Sequence, residues 1–376
     1  MDKRILIKGA KLLDISTGYK YLKKDVVIKD GLIDLISDDI SYTPDMHLIE
    51  ADGYILSPGF IDIHTHVYPN RTKLGIDADI VGIHKGVTTI FDAGSQGPEN
   101  FNDFYENVIL KNKTSVYSLL NIAKTGLEKE RYEIADISNI DINLVKEVYE
   151  KNKEFIKGIK ARASASTVGD LGMKPIELAK KVSKDINIPI MIHIGNFPPS
   201  IEDVLSILEE GDIITHTFHG KPNGILKDNK IKSSFIKARD RGVLFDVGHG
   251  TSSFNFKIFK TAAEEGFYPD FISTDIYVDN YKGPVYSLEH TINKMIGLGM
   301  TIEDCIYKVT YLPAKHFELR ELGRLKVGFK ADLTLFKVAE REDVYIDSER
   351  NLLKNRKSID IHYILKDGEI IDLKLR

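Results

Sequence analysis

Two histidines one residue apart, His64 and His66, close the apolar run Leu56 to His64. In an extended chain successive side chains alternate faces, so the two imidazoles share one face with Thr65 on the other. Such a pair can grip one cation. Later apolar runs end in Lys160, His193, His216 and Asp275. A single imidazole at a strand end is ordinarily a hydrogen-bonded structural group, but this ordered set of imidazoles and a carboxylate suits zinc, and with less selectivity manganese, iron or cobalt. Lysine is the odd member, because an ammonium beside a divalent cation is repelled. Its amine can instead combine with carbon dioxide, giving a carbamate that is anionic, bidentate and able to bridge two metals. Two cations roughly 3.5 to 4 Å apart lower the pKa of a bridging water towards 7, and one of them can polarise a carbonyl. A carboxylate beside that hydroxide, here Asp275, can take its proton and return it to the leaving group, which is worth on the order of 10²- to 10⁴-fold in rate.

Residues so far apart in sequence meet only if the elements carrying them converge. From Ile55 onward, buried strand-like runs alternate with amphipathic stretches, as in repeated βα units around a parallel sheet. Eight such runs are present: Leu56 to His64, Val87 to Asp92, Ser115 to Asn121, Phe155 to Lys160, Ile188 to His193, Asp212 to His216, Val243 to Val247 and Phe271 to Asp275. Helical periodicity fills the gaps, clearest over Pro175 to Ile186, Ile201 to Glu210 and Phe256 to Gly266. Eight units predict an α/β (β/α)8 TIM barrel, whose strand C-termini converge on one mouth. Each ligand candidate ends one of those strands.

The flanks have a different texture. Residues 1–55 and the stretch after Arg320 show short alternating runs with turn signals at Asp30-Gly31, Asp52-Gly53 and Asp367-Gly368. The expected organisation is a barrel over 56–321 and one discontinuous β-sandwich built from residues 1–55 and 322–376. In 376 residues, 42% hydrophobic and 29% charged with a net charge of -4, there is no basic surplus for nucleic acid. A small-molecule substrate is the expected partner. Cys305 is the only cysteine, so no intrachain disulfide can form, and a buried structural thiol is expected within the helix-like run Thr301 to Tyr311. With no apolar signal core and no run near the roughly 18 apolar residues of a membrane span, a cytoplasmic location without membrane contact is expected.

The stretches Pro58-Gly59-Phe60-Ile61-Asp62-Ile63-His64-Thr65-His66-Val67-Tyr68, Phe91-Asp92-Ala93-Gly94-Ser95, Gly158-Ile159-Lys160-Ala161-Arg162-Ala163-Ser164 and Phe245-Asp246-Val247-Gly248-His249-Gly250 together resemble the amidohydrolase superfamily, within it the dihydroorotase-like deacetylase branch. Gly323 to Gly328 followed by Ala331-Asp332-Leu333 resembles the strand by which that superfamily returns to its β-sandwich. The resemblance implies two divalent metal ions, zinc foremost: His64, His66 and Asp275 on one, His193 and His216 on the other, and carboxylated Lys160 bridging them. It implies cleavage of an amide or ester of a small molecule by metal-bound hydroxide, and a homo-oligomer. Lys157 competes for the bridge, but the odd spacing puts it on the opposite face, and Lys160 stands nearer the mouth.

Substrate contacts are expected from Arg162, His249, Ser95, Gln96 and Tyr68. Arg162, two residues past Lys160 on the same face, either binds a substrate carboxylate bidentately or neutralises acidic surroundings. His249, flanked by glycines, either contacts substrate or caps a loop. Ser95 and Gln96 follow the second strand, either lining the pocket or serving as turn punctuation. His219 reads as a support for the ligands. Three rivals remain: an aminopurine deaminase, many of which lack the lysine; a dihydroorotase, whose motif usually carries an arginine where Tyr68 stands; and a non-catalytic ligand-binding barrel.

Overall fold

The computed structural model describes residues 4–129 and 131–374. Seven parallel strands follow one another around a curled sheet: Phe60–Thr65, Val87–Asp92, Ser115–Asn121, Ile156–Ala163, Ile190–Ile194, Ile213–Thr215 and Leu244–Phe245. The eighth run closes the circle through single parallel bridges, Asp246 to Phe271 on one side and Thr65 to Ile276 on the other. This is the expected (β/α)8 architecture. The closing run is not a regular strand, and the reason is chemical: side chains replace part of the ladder. Asp62 accepts from the Thr274 backbone and hydroxyl at 3.1 and 2.6 Å. Asp246 accepts from the Ser273 hydroxyl at 2.6 Å, and Asp270 from the Phe245 amide at 2.8 Å.

Strand limits differ from the sequence reading where they matter for the site. The fourth strand continues to Ala163, so Lys160 lies inside it, opposite Asn121 and Met191, and does not end it. Ile55–Pro58 pairs with Arg4–Asp14 and Leu333–Ala339 instead of with the barrel. Helices Lys174–Asp185, Ile201–Ser206 and Phe256–Glu264 occupy the expected gaps. Their buried faces, such as Ile176, Ala179 and Val182 on the first, pack into the main apolar cluster with the outward faces of the strands. Fully burying one such side chain is worth about 1.5–3 kcal/mol.

Both chain ends meet in one eight-stranded sheet, ordered Glu369–Asp372, Ser358–Lys366, Leu333–Ala339, Ile55–Pro58, Arg4–Asp14, Tyr19–Lys29 and Leu32–Ser37, with Met46–Glu50 also on Arg4–Asp14. Asp30-Gly31 and Asp367-Gly368 turn its hairpins, all four residues at positive φ, as two-residue hairpins require. Between Leu333–Ala339 and Ser358–Lys366 the chain makes an excursion, the hairpin Asp343–Ile346 with Leu352–Asn355. Its tip reaches the barrel, where Asp347 accepts from the Phe256 amide at 2.9 Å.

Candidate active site

The barrel brings the six expected ligands together. The Nε2 atoms of His64 and His66 lie 3.3 and 3.2 Å from Asp275 Oδ1, and one ligand atom from each falls within 4.8 Å of the others. His216 Nε2 is 3.9 Å from Asp275 Oδ2. His193 stands edge-on to His216 with ring centres 4.4 Å apart. Lys160 Nζ is 3.3 Å from His64 Nε2 and 3.2 Å from Met191 Sδ. Lys157 is elsewhere, its ammonium 5.6 Å from the Tyr117 ring centre. The cluster forms the floor of a cleft of about 190 Å³ whose walls include Leu74, Arg131, Arg162, Lys221, Thr251 and Tyr277.

A second layer fixes which imidazole nitrogen faces the cluster. The Thr215 hydroxyl donates to Asp246 at 2.7 Å and so offers its lone pair to His64 Nδ1 at 2.9 Å. Ser95 Oγ sits 2.9 Å from His66 Nδ1, and its amide donates to Asp92 at 2.7 Å. The Gly248 carbonyl, which can only accept, takes the His216 Nδ1 proton at 2.6 Å. That leaves His216 Nε2 as a bare lone pair, buried and without a hydrogen-bond partner. An orphaned imidazole nitrogen 3.9 Å from a carboxylate, on a ring beside those of His64 and His193, fits a divalent cation, because metal-ligating histidines donate their other N–H to an oxygen in this way. His216 and Asp275 have φ of 66° and 49°, a backbone strain of order 1–3 kcal/mol each that surrounding packing must hold in place.

Electrostatics agree with that donor set. Burial, then the nearby Lys160, holds His64 well below the ordinary imidazole range. Burial, then His216, does the same for His193, and burial brings His216 down to about 4. All three imidazoles are therefore neutral at pH 7, the form that can bind a metal. Burial pushes Lys160 down to about 7, against the opposing pull of Asp275 and Asp246. Asp62 and Asp246 are pushed up to about 7, again by burial first.

The structure corrects several expected substrate contacts. Tyr68 is buried with its ring edge-on to Phe104 at 5.1 Å and its hydroxyl donating to Asp103 at 2.5 Å, away from the cleft. Gln96 is fully buried and donates to Ser118. Ser95 supports His66 instead of lining the cleft. His249 is fully buried, 2.7 Å from Lys294 Nζ. Each turned inward because a strand-end polar group must bond to something once packing removes water, and spacing does not say to what. Arg162 does line the cleft, but its fork is bidentate on buried Glu133 at 2.6 and 2.9 Å. His219 accepts from the Lys221 amide at 3.1 Å and does not reach the cleft. Lys221 and Tyr277 went unremarked in the sequence, although each follows a ligand strand within five residues. Asp92 ends the second strand run and Asp246 stands one residue before the end of the seventh, a signal as visible as the histidines.

Comparison with known proteins gives the setting of this constellation. The sequence pattern of the amidohydrolase family matches residues 55–371. A deacetylase of Enterococcus faecalis is 39% identical over 352 residues, 93% of this chain and 93% of that protein. A solved structure described as an adenine deaminase superposes with a TM-score of 0.92 at 38% identity, over 99% of this chain and 100% of that one. Another, described as a dihydroorotase, also reaches 0.92, at 31% identity over 98% and 97% of the two chains.

Proposed function

The chain belongs to the amidohydrolase family and is a hydrolytic enzyme, and within that family we propose that it removes an acyl group, held as an amide or ester, from a small molecule. The observation that carries this reading is the convergence of His64, His66, His193, Lys160 and Asp275 on one cleft, with the bare Nε2 of buried His216 3.9 Å from Asp275 behind them. His64, His66 and Asp275 would hold one divalent ion, His193 and His216 a second, with zinc as the resident metal. Such ions, when bound, lower the pKa of a coordinated water towards 7 and polarise the carbonyl under attack.

The chain's own residues do the rest. Lys160, with its pKa brought to about 7, is partly a free amine at neutral pH. As such it can add to carbon dioxide through a new N–C bond, releasing a proton to solvent, and the resulting anionic carbamate would supply further oxygen ligands for the two ions. Asp275, within 3.3 Å of two ligand nitrogens, accepts the proton of the attacking water and returns it to the departing nitrogen or oxygen as the C–N or C–O bond breaks. With Arg162 neutralised by Glu133, Arg131 and Lys221 still make the cleft wall cationic, so an acyl compound carrying its own carboxylate suits it. A cytoplasmic homo-oligomer completes the reading. Among the described residues no helix is long and apolar enough to cross a membrane.

A hydrolysis screen of N-acyl amino acids, O-acyl hydroxy acids, cyclic amides and aminopurines with metal-loaded protein tests the class. Release of a carboxylic acid without ammonia is expected; efficient ammonia release from adenine would place the chain with the deaminases. Two variants test the residues. Asp275→Asn keeps at least one metal but loses on the order of 10²- to 10⁴-fold in turnover. Lys160→Ala leaves two imidazoles on one cation, too few for a stable tetrahedral site, so metal and activity fall together, and acetate or propionate restores part of both. One metal or fewer per chain after full reconstitution, with an unmodified Lys160, would sink the dinuclear reading.

A further inference from the structure

Lys294 and His249 are both fully buried, and neither lines the cleft. Lys294 Nζ, on the helix Leu288–Gly297, donates to the Pro284 carbonyl at 2.7 Å and lies 2.7 Å from His249 Nε2. His249 Nδ1 lies 2.9 Å from the Gly250 carbonyl. A carbonyl only accepts, so Nδ1 carries the imidazole proton, Nε2 is the lone pair, and the lysine donates to it. The result is a directed chain from Lys294 through His249 to Gly250.

That chain ends against the reacting groups. The His249 and Gly250 amides donate to the Ser273 and Thr274 carbonyls at 3.3 and 2.9 Å, on the segment that delivers Asp275. Gly250 packs so closely that a Cβ there would stand 2.4 Å from Asp275 Oδ2. One turn residue earlier, the Gly248 carbonyl holds the His216 Nδ1 proton. From the other side, Ser348 at the tip of the C-terminal excursion places its hydroxyl 3.2 and 3.1 Å from the His249 and Gly250 carbonyls. Asp275 and His216 have the positive φ noted above, so their side-chain directions depend on what presses on them.

We propose that the buried Lys294–His249 pair is a positioning device for the hydrolysis: it sets the Gly248–Gly250 turn and, through it, the directions of His216 and Asp275. The pair touches no substrate and works through those two residues. The inference rests on the reading of Asp275 as the proton-transferring group, and its test keeps the two separable.

Lys294→Met keeps the apolar stem and removes the donor. His249→Asn keeps a donor within reach of the Gly250 carbonyl but cannot reach Lys294. Removing a supporting partner of this kind lowers activity by about 10- to 100-fold, and the loss is expected in kcat with KM and metal content unchanged. Combined with Asp275→Asn, Lys294→Met should cost less than it does alone, because the part of its effect that passes through Asp275 is already removed. Lys366→Met serves as control: Lys366 is an equally buried lysine, paired with Asp332 at 2.6 Å in the end sheet, and its loss lowers the melting temperature while kcat stays. If Lys294→Met keeps kcat within about threefold of wild type while Asp275→Asn is silent, the positioning role is refuted. If Asp275→Asn is itself active, the reading of Asp275 fails instead, and the positioning role with it. Neutron diffraction from the metal-loaded wild-type enzyme needs no variant to fold: hydrogen on His249 Nδ1 supports the chain of donors, and hydrogen on Nε2 overturns it.

Discussion

Gly250→Ala puts the geometry of Asp275 to the hardest test. Gly250 has φ of 52°, and a Cβ there would stand 2.4 Å from Asp275 Oδ2 and 3.6 Å from Ser253 Cβ. Ser253 is in ordinary contact, so the carboxylate must give way, and reaching a normal separation of about 3.5 Å means a retreat of roughly 1 Å. A displacement of that size at a reacting group costs about 10²-fold, which is close to 2.7 kcal/mol of barrier. The effect on stability is smaller. A left-handed backbone at alanine costs roughly 1–2 kcal/mol, of which about 0.4–1 kcal/mol returns through the stiffer unfolded chain. The net, near 1 kcal/mol, lowers the melting temperature by about 2–4 °C or less in a chain of this size. Steady-state kinetics on the best substrate of the screen, with calorimetry and metal analysis on the same preparation, should therefore show a large fall in kcat beside a small shift in melting. A kcat within about threefold of wild type would refute the reasoning, because the carboxylate would then tolerate the displacement.

Two further outcomes follow from the placement of single side chains. Tyr68→Phe removes the hydroxyl that donates to Asp103 and should cost about 1 kcal/mol of stability with kcat/KM unchanged; a selective rise in KM would return Tyr68 to the substrate site. Cys305 is fully buried, and burial raises its thiol pKa well above the ordinary range, so alkylation at pH 8 should be negligible in the native protein and reach one thiol per chain on denaturation. Rapid labelling of native protein, followed by mass spectrometry, would contradict that burial.

Buried apolar runs alternating with amphipathic stretches made the barrel legible along the chain, and the polar residues ending those runs marked the side chains that it brings together. His64 and His66 share a face for any strand through them, and the other ligands needed only strands that converge. The candidate ligand series is therefore largely a property of local runs, carried by five of the eight. Lys160 shows the limit of such reading: it belongs to the cluster, but from inside a strand that runs on to Ala163, because Ile192, His193 and Ile194 pair with Ala161, Arg162 and Ala163 and extend the ladder past it. Likewise the eighth run lost its regular strand to side-chain bonds, from its own Asp270 to the Phe245 amide and to the carboxylates of Asp62 and Asp246, the last two being groups that only the closed circle brings beside it.

Where the second layer of side chains points was decided by tertiary structure alone. Tyr68, Gln96 and His249 have the residue types of substrate contacts and follow the ends of barrel strands, yet Asp103, Ser118 and Lys294 took them. The partners lie 35, 22 and 45 residues away, and no spacing rule connects them. A buried polar group must be satisfied by whatever the fold brings within 3 Å or so. A strand's alternation therefore specifies which face a residue occupies, while the partner on that face is set by every other element packed against it.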